Sequence, residues 1–418
     1  MSKDEKNKLQ WEEPKTLWNV MFLVVFFASA ALNLSQQMSN SLLSLYAKSL
    51  GTPAEQIGSL TSVWAITALL FRFVSGPAMN AFNRKRLLQG AMLLYVIAYF
   101  GFAFCEPISA ATGISYVNVL RIFRVIQGVG QAFGNACLLT IVSDYIPKAS
   151  FTSSMGIFAC AQVIAQAIGP TAGVVLRDTV GYSMTFTISA SLMAVTMILA
   201  AFLLKAAPRE PTPFRLVPET MVAKEALVPA GITFLTAFGY TSINAFLLIY
   251  AEEHGIKGGS WFFTVYALTM FATRPVVGKL SDKYGFIKTG IPTVVLSAVS
   301  LVVVGLSTNL PMLLLAAFLN ACGYGAAQPL LQSLCIQSVT PERRGSASGT
   351  YYIGLDSATV LGPYACGFIA NKLGYTPVIW FAMAVPAALG VVWAFFFRGR
   401  INAIEADFKK RNAEAKEA

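Results

Sequence analysis

Charge is scarce in this chain. Only 12% of its 418 residues are Asp, Glu, Lys or Arg, against about 25% in an ordinary soluble domain. Histidine is nearly missing: His254, in the polar stretch AEEHGIKGG, is the single one. No pairing of imidazole with carboxylate, the usual core of a hydrolytic or metal site, is available inside the apolar stretches. Six cysteines (Cys105, Cys137, Cys160, Cys322, Cys335 and Cys366) all fall in or beside apolar stretches. Their spacing outlines neither a disulfide framework nor a metal site, and they read as small packing residues. The opening MSKDEKNKLQWEEPK is polar, and the apolar run that starts near Leu17 is too long for a signal peptide.

What the chain does have is apolar surface. Hydrophobic residues make up 56% of it, and the mean hydropathy is +0.61. Stretches of about 20 apolar residues, the length that crosses a bilayer as a helix, recur along most of its length. The expected class is an all-α integral membrane protein with twelve transmembrane helices. The spans fall near 18–47, 56–79, 87–105, 114–144, 152–176, 183–205, 227–251, 260–281, 288–306, 311–337, 346–370 and 376–397. The linker KAAPREPTPFRLVPETMVAKEA, with four prolines close together, separates spans six and seven. The expected division is an N-tail (1–16), an N-terminal six-helix half (17–205), a linker (206–226), a C-terminal six-helix half (227–398) and a C-tail (399–418). The tail reads as a basic helix lying on a surface or in water.

The charges that remain are placed by side. With the N-terminus in the cytoplasm, 23 of the 31 Lys and Arg fall in cytoplasmic segments, and only Lys48, Arg177, Lys257 and Lys372 fall in the opposite loops. Positive charge is retained on the cytoplasmic side, so both termini are expected there. The same bias accounts for the net charge of +11 without a nucleic-acid partner.

The chain also repeats itself. RFVSGPAMN from Arg72 is echoed by RPVVGKLSD from Arg274, GPTAG at Gly169 by GPYACG at Gly362, and VGY ending at Tyr182 by LGY ending at Tyr375. The last two pairs are both offset by 193 residues. Two parallel six-helix repeats are expected. Repeats of this kind place a substrate path at their interface and expose it to each side in turn.

With these residues in view, the whole chain resembles a major facilitator superfamily transporter. The loop motif of that family is matched by GKLSDKYG (Gly278, Asp282, Gly285), and more loosely by GPAMNAFNRKR (Gly76, Asn80), where the carboxylate is replaced by an amide. Arg124, Gln127 and Gly128 match the fourth-span motif. Gly156, Gly169, Pro170 and Gly173 match the fifth-span signature of the exporting, antiporting branch, although Ala165 stands where that signature often carries Gly. The resemblance implies export of a small organic compound, drug-like or a metabolite, in exchange for protons. It leaves open uptake or exchange of a small organic anion. It also implies a monomer in a bacterial cytoplasmic membrane, no enzyme activity and no cofactor.

Physical reasoning assigns roles to the same residues. Glycine permits close helix approach and proline bends a helix, so Gly169–Pro170 and Gly362–Pro363 are candidate pivots or tight packing points. Asp282 can accept hydrogen bonds from a helix N-terminus and latch the cytoplasmic side, while Asn80 can form only an uncharged counterpart. Charged groups within the membrane default to function. Asp356, about 18 Å along a helix from Arg344, is the mid-span acid suited to carry a proton. Arg124 is the mid-span cation. Arg72 and Arg274 lie within snorkelling reach of the cytoplasmic surface. No acid lies in the first span, where many drug exporters of the family have one. Polar residues at helical spacing mark a substrate path: Asn33, Gln37, Gln131, Asn135, Gln162, Gln166, Tyr240, Asn244, Tyr324, Gln328 and Tyr352.

Overall fold

Helices form wherever long apolar runs are bounded by capping or breaking residues. A computed structural model describes residues 16–51, 54–204, 213–259, 261–373 and 379–417. The helices are α1 (Val20–Ser49), α2 (Ala54–Ala81), α3 (Arg84–Ala103), the short α4 (Cys105–Thr112) and α5 (Tyr116–Val142). They continue with α6 (Phe151–Leu203), α7 (Leu227–Glu253), α8 (Trp261–Tyr284), α9 (Phe286–Leu306), α10 (Leu310–Asn320) and α11 (Ala326–Gln337). The chain ends with α12 (Arg344–Leu373), α13 (Val385–Phe396) and α14 (Arg398–Glu417). Asn83 starts α3 by accepting from the backbone N–H groups of Lys85 and Arg86, and Asn309 starts α10 by accepting from Met312 N at 3.0 Å.

At 53 residues, α6 would be about 80 Å long at 1.5 Å per residue, far beyond the ~30 Å of a bilayer core. It breaks at Gly181, whose φ of 83° and ψ of 171° no helix contains. Glycine alone takes that conformation cheaply, so the segments 151–180 and 182–203 are two helices. Among the described residues, nine helical segments are long and apolar enough to cross a membrane. The helices α8 and α12, which occupy two further expected spans, are not among those nine.

Contacts divide the chain into two compact units. One comprises Met1–Pro147 and Ala161–Met221, the other Lys148–Cys160 and Val222–Ala418. Within the first, α5 packs on both α2 and α3, around an aromatic core in which Tyr95, Tyr99, Phe102 and Phe186 are fully buried. Arg84 at the start of α3 holds Asp144, just past α5, through an ion pair of 2.6 Å. Within the second, α7 packs on α12 and α13.

Two arginines depart from the snorkelling expectation. Arg72 is 0% exposed and Arg274 is 2% exposed. Arg72 Nη1 donates to Ala132 O at 2.5 Å, tying α2 to α5. Arg274 donates from Nε to Gly325 O at 3.2 Å, from Nη1 to Ala159 O at 2.6 Å and from Nη2 to Gln328 Oε1 at 2.7 Å. A membrane interior offers no water to these groups, so backbone carbonyls become their partners. One of them, Gly325 O, belongs to the π-helical turn Ala321–Gly325 between α10 and α11. In each unit, then, a buried arginine is fastened to backbone carbonyls of another helix: Arg72 of α2 to α5, and Arg274 of α8 to α6 and to Gly325.

The tail helix α14 is docked on the second unit. Ile401, Ile404, Glu405, Phe408, Arg411 and Asn412 lie on one face at helical spacing; Ile401 is buried and the others are half-buried. The Phe408 ring sits 5.3 Å from that of Phe151. Arg411 donates to Gln337 O at 2.5 Å, and Glu405 accepts the Phe286 N–H at 2.7 Å.

Candidate functional site

The spacing Arg124, Gln127, Gln131, Asn135 advances by three or four residues, so all four share one stripe of α5, and all four are buried. Arg124 is only 3% exposed. Its Nη1 donates to Asn40 Oδ1 on α1 at 2.7 Å and to Gln127 Oε1 at 2.6 Å. The guanidinium lies 5.9 Å from the ring centroids of both Trp64 and Phe102, within cation–π range. Gly128 sets this distance: a Cβ there would stand 2.8 Å from Thr67 Cβ and 2.9 Å from Trp64 O. The absence of a side chain lets α2 close on α5 and brings Trp64 beside Arg124. One turn further on, Tyr95 donates its hydroxyl to Gln131 Oε1.

Other expected residues of the first unit are more dispersed. Asn33 donates to Ser29 O of its own helix at 2.8 Å. Gln37 packs against Gly169, where a Cβ would lie 2.5 Å from Gln37 Cβ, so the Gly169–Pro170 turn of α6 fits closely on α1. Gln162 is half-buried and Gln166 is exposed.

In the second unit the Tyr240 ring stacks with two other tyrosines. Tyr324 stacks on it at 4.4 Å and Tyr266 at 5.1 Å, with interplanar angles of 21° and 25°. The three tyrosines thus form one stacked cluster within the second unit. Gln328 is engaged by Arg274, and Tyr352 accepts from Gln332 at 3.4 Å. Asp356 is half-buried in the middle of α12. Gly362 approaches α7 closely, with a Cβ there 2.7 Å from Thr241 Oγ1. The side chains of Asn244 and Pro363 lie outside the described residues.

A second polar cluster forms at one end of this unit. Asp282 accepts from Thr152 N at 2.9 Å and from Ser153 N at 2.8 Å, so its two oxygens cap the first turn of α6. The carboxylate meets unsatisfied N–H groups and the positive end of a helix dipole. Gly278, one turn earlier, permits the approach: a Cβ there would lie 2.6 Å from Ser153 Cα. Gln337 reinforces the join by donating to Thr152 Oγ1 at 3.2 Å. A cavity of about 350 Å³ opens beside it, lined by Asp282, Lys148, Gln337, Glu405 and Lys409 among others. Asn80, at the matching position of the first unit, and Gly76 beside it are both buried.

Sequence reasoning did not single out Tyr99, Ser39, Thr152, Ser153 or the docking face of α14. For Tyr99 a signal existed: Tyr95 and Tyr99 stand four residues apart in an apolar run, so two hydroxyls share one face. For Thr152 and Ser153 the partner lies about 130 residues away and leaves no local trace.

Three comparisons bear on identity. The family profile described as Major Facilitator Superfamily matches residues 25–230 and 229–417. An uncharacterized MFS-type transporter of Methanocaldococcus jannaschii is 23% identical over 368 residues, covering 84% of this chain and 91% of that protein. The multidrug resistance protein MdtG of Proteus mirabilis is 30% identical over 171 residues, covering 39% of this chain and 42% of that protein. In structure, a bacterial homologue of the iron transporter ferroportin in an outward-facing state superposes with a TM-score of 0.78 at 13% identity, over 91% of this chain and 100% of that one.

Proposed function

Because this chain belongs to the Major Facilitator Superfamily, we propose that it is a secondary active transporter which exports a small organic compound in exchange for protons. It works as a monomer of twelve spans in a bacterial cytoplasmic membrane, with both termini inside. The observation that carries the reading is Arg124, a cation buried in a long apolar helix with only neutral hydrogen-bond partners. A charge kept there at a desolvation cost of several kcal/mol has a use in handling polar cargo. The direction is supported by the relative named as a multidrug resistance protein, which aligns over part of the chain.

Asp356 is the proton carrier in this reading. It takes a proton from one side and releases it to the other as access alternates. The cap that Asp282 places on α6 is a polar contact at a helix end, and it is broken and remade more readily than interdigitated apolar packing. The Gly169–Pro170 and Gly362–Pro363 turns supply the bends. The amide of Asn80 makes the first unit's counterpart of the Asp282 contact an uncharged one.

Transport in proteoliposomes under an imposed pH gradient tests this, with wild type beside Asp356→Asn and a panel of drug-like cations and organic acids. Accumulation driven by proton counterflow in wild type and abolished in Asp356→Asn is expected. Accumulation indifferent to both the gradient and Asp356 would overturn proton exchange.

A further inference from the structure

The neighbourhood of Arg124 contains more unsatisfied hydrogen-bond donors than any other part of the described protein. Arg124 Nε, Gln127 Nε2, Trp64 Nε1, Ser39 Oγ and the Tyr99 hydroxyl are all buried, and among the described residues none has a hydrogen-bond partner outside this group. They converge on one place. Gln127 and Trp64 adjoin the guanidinium, the Tyr99 hydroxyl lies beside Gln127, Ser39 and Arg124, and Ser39 precedes Asn40, which Arg124 already holds. Asn40 Oδ1 and Gln127 Oε1 each already receive Arg124 Nη1, and the other neutral acceptors in the cluster are the two hydroxyl oxygens, fewer than the donors around them. No acidic side chain among the described residues pairs with Arg124.

Three of the unfilled groups, the guanidinium N–H, the amide NH₂ and the indole N–H, can only donate, and the two hydroxyls can. A buried donor left without a partner is costly, and so is a buried cation without a counter-charge. One kind of group relieves both at once, an anion that is acceptor-only. A neutral amide or a cation would bring further donors to a site that already holds more donors than acceptors and would leave the guanidinium without a counter-charge.

We infer that Arg124, Gln127, Trp64, Tyr99 and Ser39 form a binding site for the carboxylate of a small organic acid. The flanking Trp64 and Phe102 rings supply an apolar wall for the body of that acid. The inference rests on the reading of the chain as a small-molecule carrier, and it narrows the cargo to organic anions. Ser39, Trp64 and Tyr99 become specificity residues. They hold the carboxylate's oxygens, while Arg124 supplies the charge.

The test is equilibrium binding to the purified full chain in detergent, read as the rise in Tm and as Kd. The probes are 1-naphthoate and benzoate, each beside its primary amide, with 1-naphthylmethylammonium as the cationic control. The carboxylates should raise Tm in the wild type, and the amides and the ammonium should not. The rise should vanish in Arg124→Gln, while Tyr99→Phe and Trp64→Phe each bind roughly tenfold to 100-fold more weakly, as loss of one hydrogen bond to a charged group implies. If Arg124→Gln fails to fold, these two single-donor variants decide the matter alone. Equal stabilisation by amide and acid, stronger stabilisation by the cation, or full carboxylate affinity in the variants would overturn the site. Binding is measured without a gradient, so the two readings fail separately. Carboxylate bound but never exported rejects export and keeps the site. Proton-driven export of a cation with no carboxylate binding rejects the site and keeps export.

Discussion

Asp282 receives the backbone N–H of Ser153 at 2.8 Å, across 129 residues of sequence, and with the other oxygen receives that of Thr152. The carboxylate therefore fastens the end of α8 to the start of α6. Replacing it with asparagine leaves one acceptor where two were and removes the charge. Asp282→Asn is expected to destabilise the protein by about 1–2 kcal/mol, the scale of a lost charge-assisted bond, seen as a lower Tm in detergent. Gly278→Ala should lower Tm as well, because the new methyl group meets Ser153 backbone at 2.6 Å and backbone cannot rotate away. An unchanged Tm in both variants would remove the cap from the account.

Arg274 reaches three acceptors on two other segments at once. A lysine has one ammonium on a flexible stem and cannot reproduce that fork. Arg274→Lys should cost about 2–4 kcal/mol, mostly through carbonyls left without partners in a dry interior, again read as a fall in Tm. Gln328→Ala, which removes one of the three acceptors, should cost less than half as much. If Arg274→Lys were neutral, the side chain would have to be reaching the membrane surface after all.

Glu405 makes the docking of α14 sensitive to pH. Burial pushes its carboxyl up from the ordinary range, opposed by the Phe286 N–H it accepts and by Lys409 nearby. Lys148, Asp282 and Lys409 line the same cavity. A carboxyl that binds its proton more tightly when docked contributes stability that is complete in acid and is lost as pH rises through its raised value. Amide exchange across α14 should therefore be slower in mild acid than above neutrality, after correction for the intrinsic rate. Glu405→Gln should erase that difference. Equal corrected protection under both conditions in the wild type would contradict it.

Phe408→Ala tests the apolar side of the same docking. The Phe408 ring packs edge-on against Phe151 at 5.3 Å, and truncating a partly buried aromatic there should cost about 1–2 kcal/mol. Loss of protection should be confined to α14 and the first turn of α6. Protection lost evenly over both units would show a general loss of stability instead.

Much of this was legible in the amino-acid sequence. Apolar runs of bilayer length and the lack of charge within them dictate a helical membrane protein, because no other element hides its own backbone from lipid apart from a closed barrel. The repeat is visible as offset motifs, and the α5 stripe is visible because helical spacing alone puts Arg124, Gln127, Gln131 and Asn135 on one face. The position of the break in α6 could not be fixed from composition, since one glycine among many carries it.

Partners are another matter. Spacing along a helix decides which residues share a face, but which neighbour that face meets depends on packing between segments far apart in the chain. So the sequence by itself determined the membrane class, the helical periodicity and the arginines that had to be housed. Only the tertiary structure decided that Arg72 and Arg274 are buried ties, that Asp282 caps α6, and that Arg124 stands among neutral donors with no acid among the described residues to answer it. In an apolar medium every polar group must find its partner inside the protein, and only the folded arrangement supplies or withholds that partner.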